Sequence, residues 1–210
     1  EKFYRSAPIG ITVEGSNTLT KNLIIFGQGL NKSHPFIYPI LDNILNDDVE
    51  GFKKNFNSIV KHSLTMYSKS FLPNFDKNIT KQLAKQTINF AHLSNIVALK
   101  GGSIKKEQFL SADMADIFSN IYLAYSIAWE YENNKTSKIL TEYCIQRLIN
   151  ENQKIINKIV DNYDIISKIP IWHLKRNVKN VSYKEKGIII QEIIENEKII
   201  NEIKKDIIIE

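Results

Sequence analysis

The feature that most constrains this chain is a helical apolar period sustained on both sides of a double glycine. Leu83, Phe90, Leu93 and Val97 recur at steps of seven, three and four, which places them on one face of an α-helix. Gly101-Gly102 follows, where a helix C-cap needs backbone freedom. Ala115, Phe118, Tyr122, Tyr125 and Trp129 then resume the period. Two long helical patterns joined by Gly-Gly predict an antiparallel hairpin. With further helical patterns on either side, the economical architecture is an all-α bundle.

Turn signals divide the rest of the chain. Residues 1–16 are the least helical, with Pro8, Gly10 and Gly15 around the β-branched run Ile11-Thr12-Val13. Ser16 is placed to cap a helix carrying Leu19, Leu23 and Phe26. Ser33-His34-Pro35 predicts a second helix start, with proline in the first turn and an end near Asn46. Asp47-Asp48 separates it from a third helix, Val49 to Phe71, with Phe52, Phe56, Ile59, Val60 and Leu64 expected inward. Leu72-Pro73-Asn74 is a break. After the central hairpin, Glu132-Asn133-Asn134 reads as a polar turn. Ile139 to Val160 reads as helix, with Leu140, Cys144, Leu148, Ile155 and Ile156 on its buried face. Residues 169–173 read as irregular. A last helix is expected from about Tyr183, carrying Ile190, Ile193, Ile200, Ile203 and Ile207. Gly187 within it is a local defect costing about 1 kcal/mol against alanine. The sequence offers no alternating strand run of useful length and no internal repeat.

Composition narrows the partners. A chain of 210 residues that is 43% hydrophobic can bury a substantial core. Its 28 basic and 23 acidic residues leave a net charge of +5. The two signs are interspersed rather than gathered in a stripe, so nucleic acid is not an expected partner. Cys144 is the only cysteine, so no internal disulfide can form and a reducing, cytoplasmic setting fits. No apolar run reaches the ~20 residues of a membrane span. No signal peptide is seen. The chain begins at Glu1, within sequence that reads as structured, and is expected to be a fragment or a processed piece.

Glu14 stands out for its setting. It precedes Gly15, which leaves space beside the carboxylate for a substrate. It also precedes a helix start whose unpaired N–H groups can hold an anion. A carboxylate, an open glycine and a helix N-terminus could together build a proton-abstraction site. On spacing alone the plainer reading is preferred: an ordinary loop-to-helix junction with a favourably placed acid.

A resemblance shifts that balance. The segment Tyr4-Arg5-Ser6-Ala7-Pro8-Ile9-Gly10-Ile11-Thr12-Val13-Glu14-Gly15-Ser16-Asn17-Thr18-Leu19-Thr20-Lys21 closely resembles the Glu-Gly segment of acyl-CoA dehydrogenases. With Leu23-Ile24-Ile25-Phe26-Gly27-Gln28-Gly29 and His34-Pro35, it is similar to the long bacterial fatty-acid enzymes of that family. Residues 93–106 and 110–124 resemble later segments of the same proteins. The likeness covers most of residues 1–170 and fades in the isoleucine- and lysine-rich tail.

The resemblance implies a fold, a reaction and a site. Residues 1–72 would end the family's C-terminal helical domain and carry the Glu-Gly loop. Residues 73–210 would form a bacterial-type helical extension. The reaction would oxidise a fatty acyl-CoA to a trans-2-enoyl-CoA with FAD as hydride acceptor, as in β-oxidation. Glu14 matches the catalytic base, Gly15 the glycine that touches substrate, and Ser16 and Thr18 positions that contact FAD. Commoner members carry threonine and glutamine where this chain has Ser16 and Thr18, and arginine where it has Lys21. Implied partners are an electron-transfer flavoprotein or similar acceptor, and further copies of the chain in a homo-oligomer. In the family, the amino-terminal helices and middle β-domain supply most FAD and acyl-CoA contacts, so these 210 residues alone are expected to be inactive.

The other polar residues invite plainer readings. His34, His62, His92 and His173 show no metal-ligand spacing. His92 and Trp129 are expected in the core. Trp172-His173 with Lys175-Arg176 would suit a partner or a peripheral membrane contact, with packing the preferred reading. A second reading, of a different class, is a non-catalytic helical module for interaction or oligomerisation. The stripe from Ala115 to Trp129 would serve it as well as a core.

Overall fold

Among the described residues every regular element is helical, as the apolar periods require. The computed structural model describes residues 34–72, 78–134, 137–178 and 181–205, together with Thr20, Gln28 and Gly29. The expected helix after Ser16 lies outside them, as do Ile207 and the side chain of Ile203. In chain order the helices are α1 (Ile37–Leu45), α2 (Val49–Phe71), α3 (Ile79–Ala98), α4 (Gln108–Asn134), α5 (Lys138–Asn162), α6 (Ile165–Lys168), α7 (Tyr183–Glu195) and α8 (Glu197–Lys205). Short 3-10 turns, Gly101–Lys105 and Trp172–Leu174, complete the set. No helix among them is long and apolar enough to cross a membrane.

Local chemistry explains the boundaries. Asp48 caps α2 by accepting from the Gly51 N–H at 2.9 Å, and its other oxygen accepts from Asn43 Nδ2 at 2.9 Å. Gly51 permits this: a Cβ there would sit 2.0 Å from Asp48 Oδ2. The Asn78 side chain accepts from the N–H groups of Thr80 and Lys81 at the start of α3. Past the end of α3, Gly101 takes φ +54°, the left-handed conformation that favours glycine. Ser137 caps α5 through the Leu140 N–H. Ser182 and Glu185 form a reciprocal capping box at the start of α7. The expected last helix is in fact two, interrupted at Asn196. The Asn196 side chain then accepts from the Ile199 N–H at 3.4 Å in the first turn of α8.

The chain divides into two compact units. One takes in the chain to Phe71 and Phe90–Ile117; the other takes Leu72–Asn89 and everything from Phe118. In the first, α1 packs on α2, and the buried apolar side chains are Leu93, Val97, Met114, Ala115 and Ile117. In the second, Leu83 of α3, Ala124 of α4 and Ile145 of α5 form a three-helix core, with Ile127, Leu148 and Ile149 packed around it. Burying a side chain such as Leu83 or Ile145 is worth about 1.5–3 kcal/mol. Toward the end of α5, Ile156, Ile159 and Val160 are buried, as are Ile171 and Leu174 in and beside the second 3-10 turn.

Helix boundaries follow the sequence expectations more closely than helix faces do. Helix α2 spans the expected residues, yet Phe56, Val60 and Leu64 are exposed. On α4 the buried stripe is Met114, Ile117, Ile121 and Ala124, while Phe118, Tyr122, Tyr125 and Trp129 face outward. The buried stripe lies one residue before the expected one, with expected Ala115 also buried, and its slimmer side chains fit between packed helices. On α5 the innermost positions are Thr141, Ile145, Asn152 and Ile156. Leu140, Cys144, Leu148 and Ile155 are only half-buried. On α7 the inward residue is Ile189, with Ile190 exposed.

Candidate functional site

The four residues singled out for chemistry, Glu14, Gly15, Ser16 and Thr18, all lie outside the described residues. Among the described residues no three His, Cys, Asp or Glu side chains converge as a metal-binding group. What the structure does assemble includes a buried polar line, a histidine pair and several grooves, two of which bear on the expectations above.

The polar line belongs to the second unit and crosses three helices. Asn120 of α4 donates to Asn152 Oδ1 at 2.8 Å. Asn152 Nδ2 donates to Gln86 Oε1 at 3.0 Å. Gln86 Nε2 donates to the Ile149 carbonyl at 2.8 Å. Asn152 is fully buried and Gln86 nearly so, so each amide must find a partner or forfeit roughly 1–3 kcal/mol. The line fixes the register of α3, α4 and α5 rather than offering a reactive group. Its signal in the sequence is a polar residue on an apolar stripe: Gln86 three after Leu83, and Asn152 four before Ile156.

Further along α5, amide side chains hold the irregular segment that follows α6. Asn157 accepts from the Arg176 N–H at 3.1 Å and donates to the Arg176 carbonyl at 2.7 Å, as a neighbouring strand would. Gln153 donates to the Leu174 carbonyl at 2.9 Å. This pinning holds Arg176 close enough to act on Lys85. Burial, and then the Arg176 charge, pull the Lys85 ammonium down to about 8.

In the first unit, the His34 and His62 rings meet edge to face at 5.5 Å, with Phe36 beside both. The Phe36 N–H donates to His34 Nδ1 at 3.2 Å, so the His34 proton sits on Nε2. Burial holds His34 below its usual range, and His62 adds to this. A hydrogen bond with Asn95 opposes them. His92 is buried against the Tyr67 ring at 5.1 Å, as its helical-core setting suggests.

The larger groove, of about 810 Å3, runs along the aromatic face of α4. Tyr122, Tyr125 and Trp129 wall it on one side, and Leu140 and Cys144 of α5 on the other. Burial pushes the Cys144 thiol up, against the Arg147 charge, so the thiol is a poor nucleophile. Trp129, expected in the core, is 64% exposed. A second groove, of about 520 Å3, lies between α5 and the start of α7. Arg147, Lys154 and Lys186 line it, with Tyr143 and Tyr183. Lys154 is paired with Glu151 at 3.3 Å, and Lys186 Nζ lies 5.7 Å from the Tyr183 ring centroid. Contacts this open contribute little, about 0–1 kcal/mol each. Trp172, for which packing was the preferred reading, is likewise exposed.

Comparison with known proteins adds what the geometry cannot. The sequence model described as acyl-CoA dehydrogenase, C-terminal, bacterial type matches residues 31–210. No solved structure matches the chain significantly.

Proposed function

Because the chain belongs to the acyl-CoA dehydrogenase family through its bacterial-type C-terminal domain, we propose that it serves FAD-dependent oxidation of a fatty acyl-CoA to the trans-2-enoyl-CoA, with Glu14 as the base. The observation that carries this reading is one of position. The family match begins at residue 31, and Val13-Glu14-Gly15-Ser16 lies just upstream of it. In the same proposal residues 1–72 end the catalytic helical domain and residues 73–210 form the extension.

Removing an α-proton from a thioester requires a carboxylate near the carbon and a donor for the oxygen that gains charge. Glu14 would take the proton, and its own backbone N–H would donate to the thioester oxygen. One such donor is worth roughly 3 kcal/mol at the transition state. Gly15 would let the acyl chain approach without a Cβ in the way. The hydroxyls of Ser16 and Thr18 suit the heteroatoms of FAD, which when bound supplies the acceptor for the β-hydride. Excluding water around Glu14 would raise its pKa toward working pH. The reduced enzyme would then need an electron acceptor such as an electron-transfer flavoprotein.

The test is Glu14→Gln in the FAD-loaded enzyme, assayed for acyl-CoA-dependent reduction of a dye. A positioned base contributes on the order of 10²–10⁴-fold, so turnover should fall within that range with FAD still bound. Full activity in the variant would remove Glu14 from the role. The 210-residue chain alone should show no turnover. The outward aromatic face of α4 favours a further role for this part of the chain, in assembly.

A further inference from the structure

We propose that the groove between α5 and α7 binds a single-chain lipid phosphate, with the phosphate monoester at Arg147, Lys154 and Lys186 and the alkyl chain along Ile139, Ile188 and Ile189. Binding there is separate from the chemistry assigned to Glu14. Its residues all belong to the second unit, and the test below reads binding rather than turnover.

Two cavities meet in this groove. Tyr143 of α5 and Val181, just before α7, line both. The first, of about 520 Å3, carries the three cations. The second, of about 380 Å3, is walled by Ile139 of α5, by Ile188 and Ile189 of α7 and by Ile79 of α3. Ile79 packs on the three-helix core and Ile189 is buried, so the apolar end is rooted in the body of the unit. Ile139 and Ile188 remain 43% and 49% exposed, which leaves apolar surface for an alkyl chain to cover. Ile139 and Lys154 lie about four turns apart on α5, roughly 22 Å along its axis. That length accommodates an extended chain with its head group.

Charge selects the head group and its end of the groove. Arg147, Lys154 and Lys186 against Glu151 leave the first cavity a net charge of +2, which suits a phosphate monoester at roughly −1.5 to −2. Arg147 offers a planar fork to two phosphate oxygens, and the lysines offer point charges. Lys154 is held by Glu151 at 3.3 Å with both side chains half-exposed, a weak pair that a phosphate can compete with. The Tyr183 ring, 5.7 Å from Lys186 Nζ, keeps that ammonium at the groove. The Glu185 N–H in the first turn of α7 is already bonded to Ser182, so side chains rather than the helix end do the binding. The apolar end carries the opposite sign, from Glu142 and Glu185. Both are engaged, Glu142 with Lys138 at 3.8 Å and Glu185 with Ser182. They leave an uncharged chain alone and repel a phosphate, so the ligand has one orientation.

Other occupants fit less well. A nucleic acid needs a continuous basic track, and here the cations give way to an acid-rimmed apolar end. A lipid held in a bilayer keeps its chain in the hydrocarbon, whereas this groove places chain and head along one protein surface. An inorganic phosphate would leave Ile139 and Ile188 uncovered.

Isothermal titration calorimetry of the full 210-residue chain with dodecyl phosphate, kept below its micelle concentration, tests this. The expected result is saturable binding of one ligand per chain. Inorganic phosphate, which covers no apolar surface, should bind at least about 10-fold more weakly, and laurate, with a single charge, should also bind more weakly. Arg147→Gln combined with Lys186→Gln should weaken dodecyl phosphate about 10-fold or more. Ile188→Ser should reduce the advantage of dodecyl over hexyl phosphate. The three replaced side chains are exposed, so the helical circular dichroism spectrum should be unchanged. If the double variant loses that spectrum, Lys186→Gln alone and the chain-length comparison decide instead. Absence of saturable binding overturns the proposal, as does binding that the variants leave intact. Inorganic phosphate bound as tightly as dodecyl phosphate would reduce the groove to an ion site, and laurate bound as tightly would overturn the phosphate head. Sedimentation with phosphatidylcholine–phosphatidylglycerol vesicles, without binding of dodecyl phosphate, would assign the cations to a membrane surface instead.

Discussion

Lys85 is a largely buried lysine, at 8% exposure for the whole residue. Burial is the first cause of its lowered pKa, about 8 against the usual 10.5, and Arg176 the second. The consequence for stability has a definite sign. Below pH 8 both folded and unfolded chains hold the proton, and the folded state bears the net cost that burial and the Arg176 charge place on it. Between about 8 and 10.5 the unfolded chain holds more protons than the folded one, so stability rises with pH. Lys85→Met keeps most of the volume and removes the charge. Its melting temperature should exceed that of the unaltered protein at pH 7, and the gap should narrow as pH rises through this window. Thermal melts at pH 7, 8.5 and 10 check this; a gap that stays constant would mean the buried charge is not its source.

At the scale of the element, α7 holds two opposed local effects. The Ser182–Glu185 capping box satisfies N–H groups at its first turn, the Ser182 N–H reaching Glu185 Oε2 at 2.7 Å. Gly187 lies inside the helix with open space where a Cβ would go. Ser182→Ala should therefore destabilise by about 1 kcal/mol, and Gly187→Ala should stabilise by up to about 1 kcal/mol. Urea titration of each variant checks both signs; a destabilising Gly187→Ala would show that the space is needed. The start near Tyr183 and the Gly187 defect were legible in the sequence because they are local, although the capping box itself was not singled out. The ends of α2 and the Gly101 cap were legible for the same reason. The inward face of α4 was not. An apolar period fixes a stripe only where the opposite side is polar, and α4 carries a second, aromatic stripe next to the first. Which one turns inward depends on the space between α3, α4 and α5, set by residues such as Leu83 and Ile145 distant in sequence. The buried amides Gln86 and Asn152 escaped for a related reason, since each satisfies the other across 66 positions. For the site, legibility ran the other way. Glu14 was singled out as a candidate by its likeness to a family segment, and that family is the one matched from residue 31 onward.

Across the whole molecule, stability should be unevenly distributed. Helix α1 has no buried residue, and on α2 the buried residue is Ser70, a polar one. Their 32 helical positions (9 in α1 and 23 in α2) are thus held by half-buried contacts such as the stacked Phe52–Phe56 pair and the Asn43–Asn55 hydrogen bond. Helix α5 buries Ile145, Ile156, Ile159 and Val160 and anchors the amide line through Asn152. Opening a segment costs the apolar contacts and buried hydrogen bonds it forfeits. Opening α1 and α2 exposes mainly half-buried side chains and the His92 ring beneath Tyr67, whereas opening α5 breaks the three-helix core with Leu83 and Ala124. Hydrogen–deuterium exchange read by mass spectrometry should therefore show peptides from 37–71 exchanging at least 100-fold faster than peptides from 141–160, a difference of about 2.7 kcal/mol in opening free energy. Equal exchange in the two regions would show that α1 and α2 draw stability from contacts other than these.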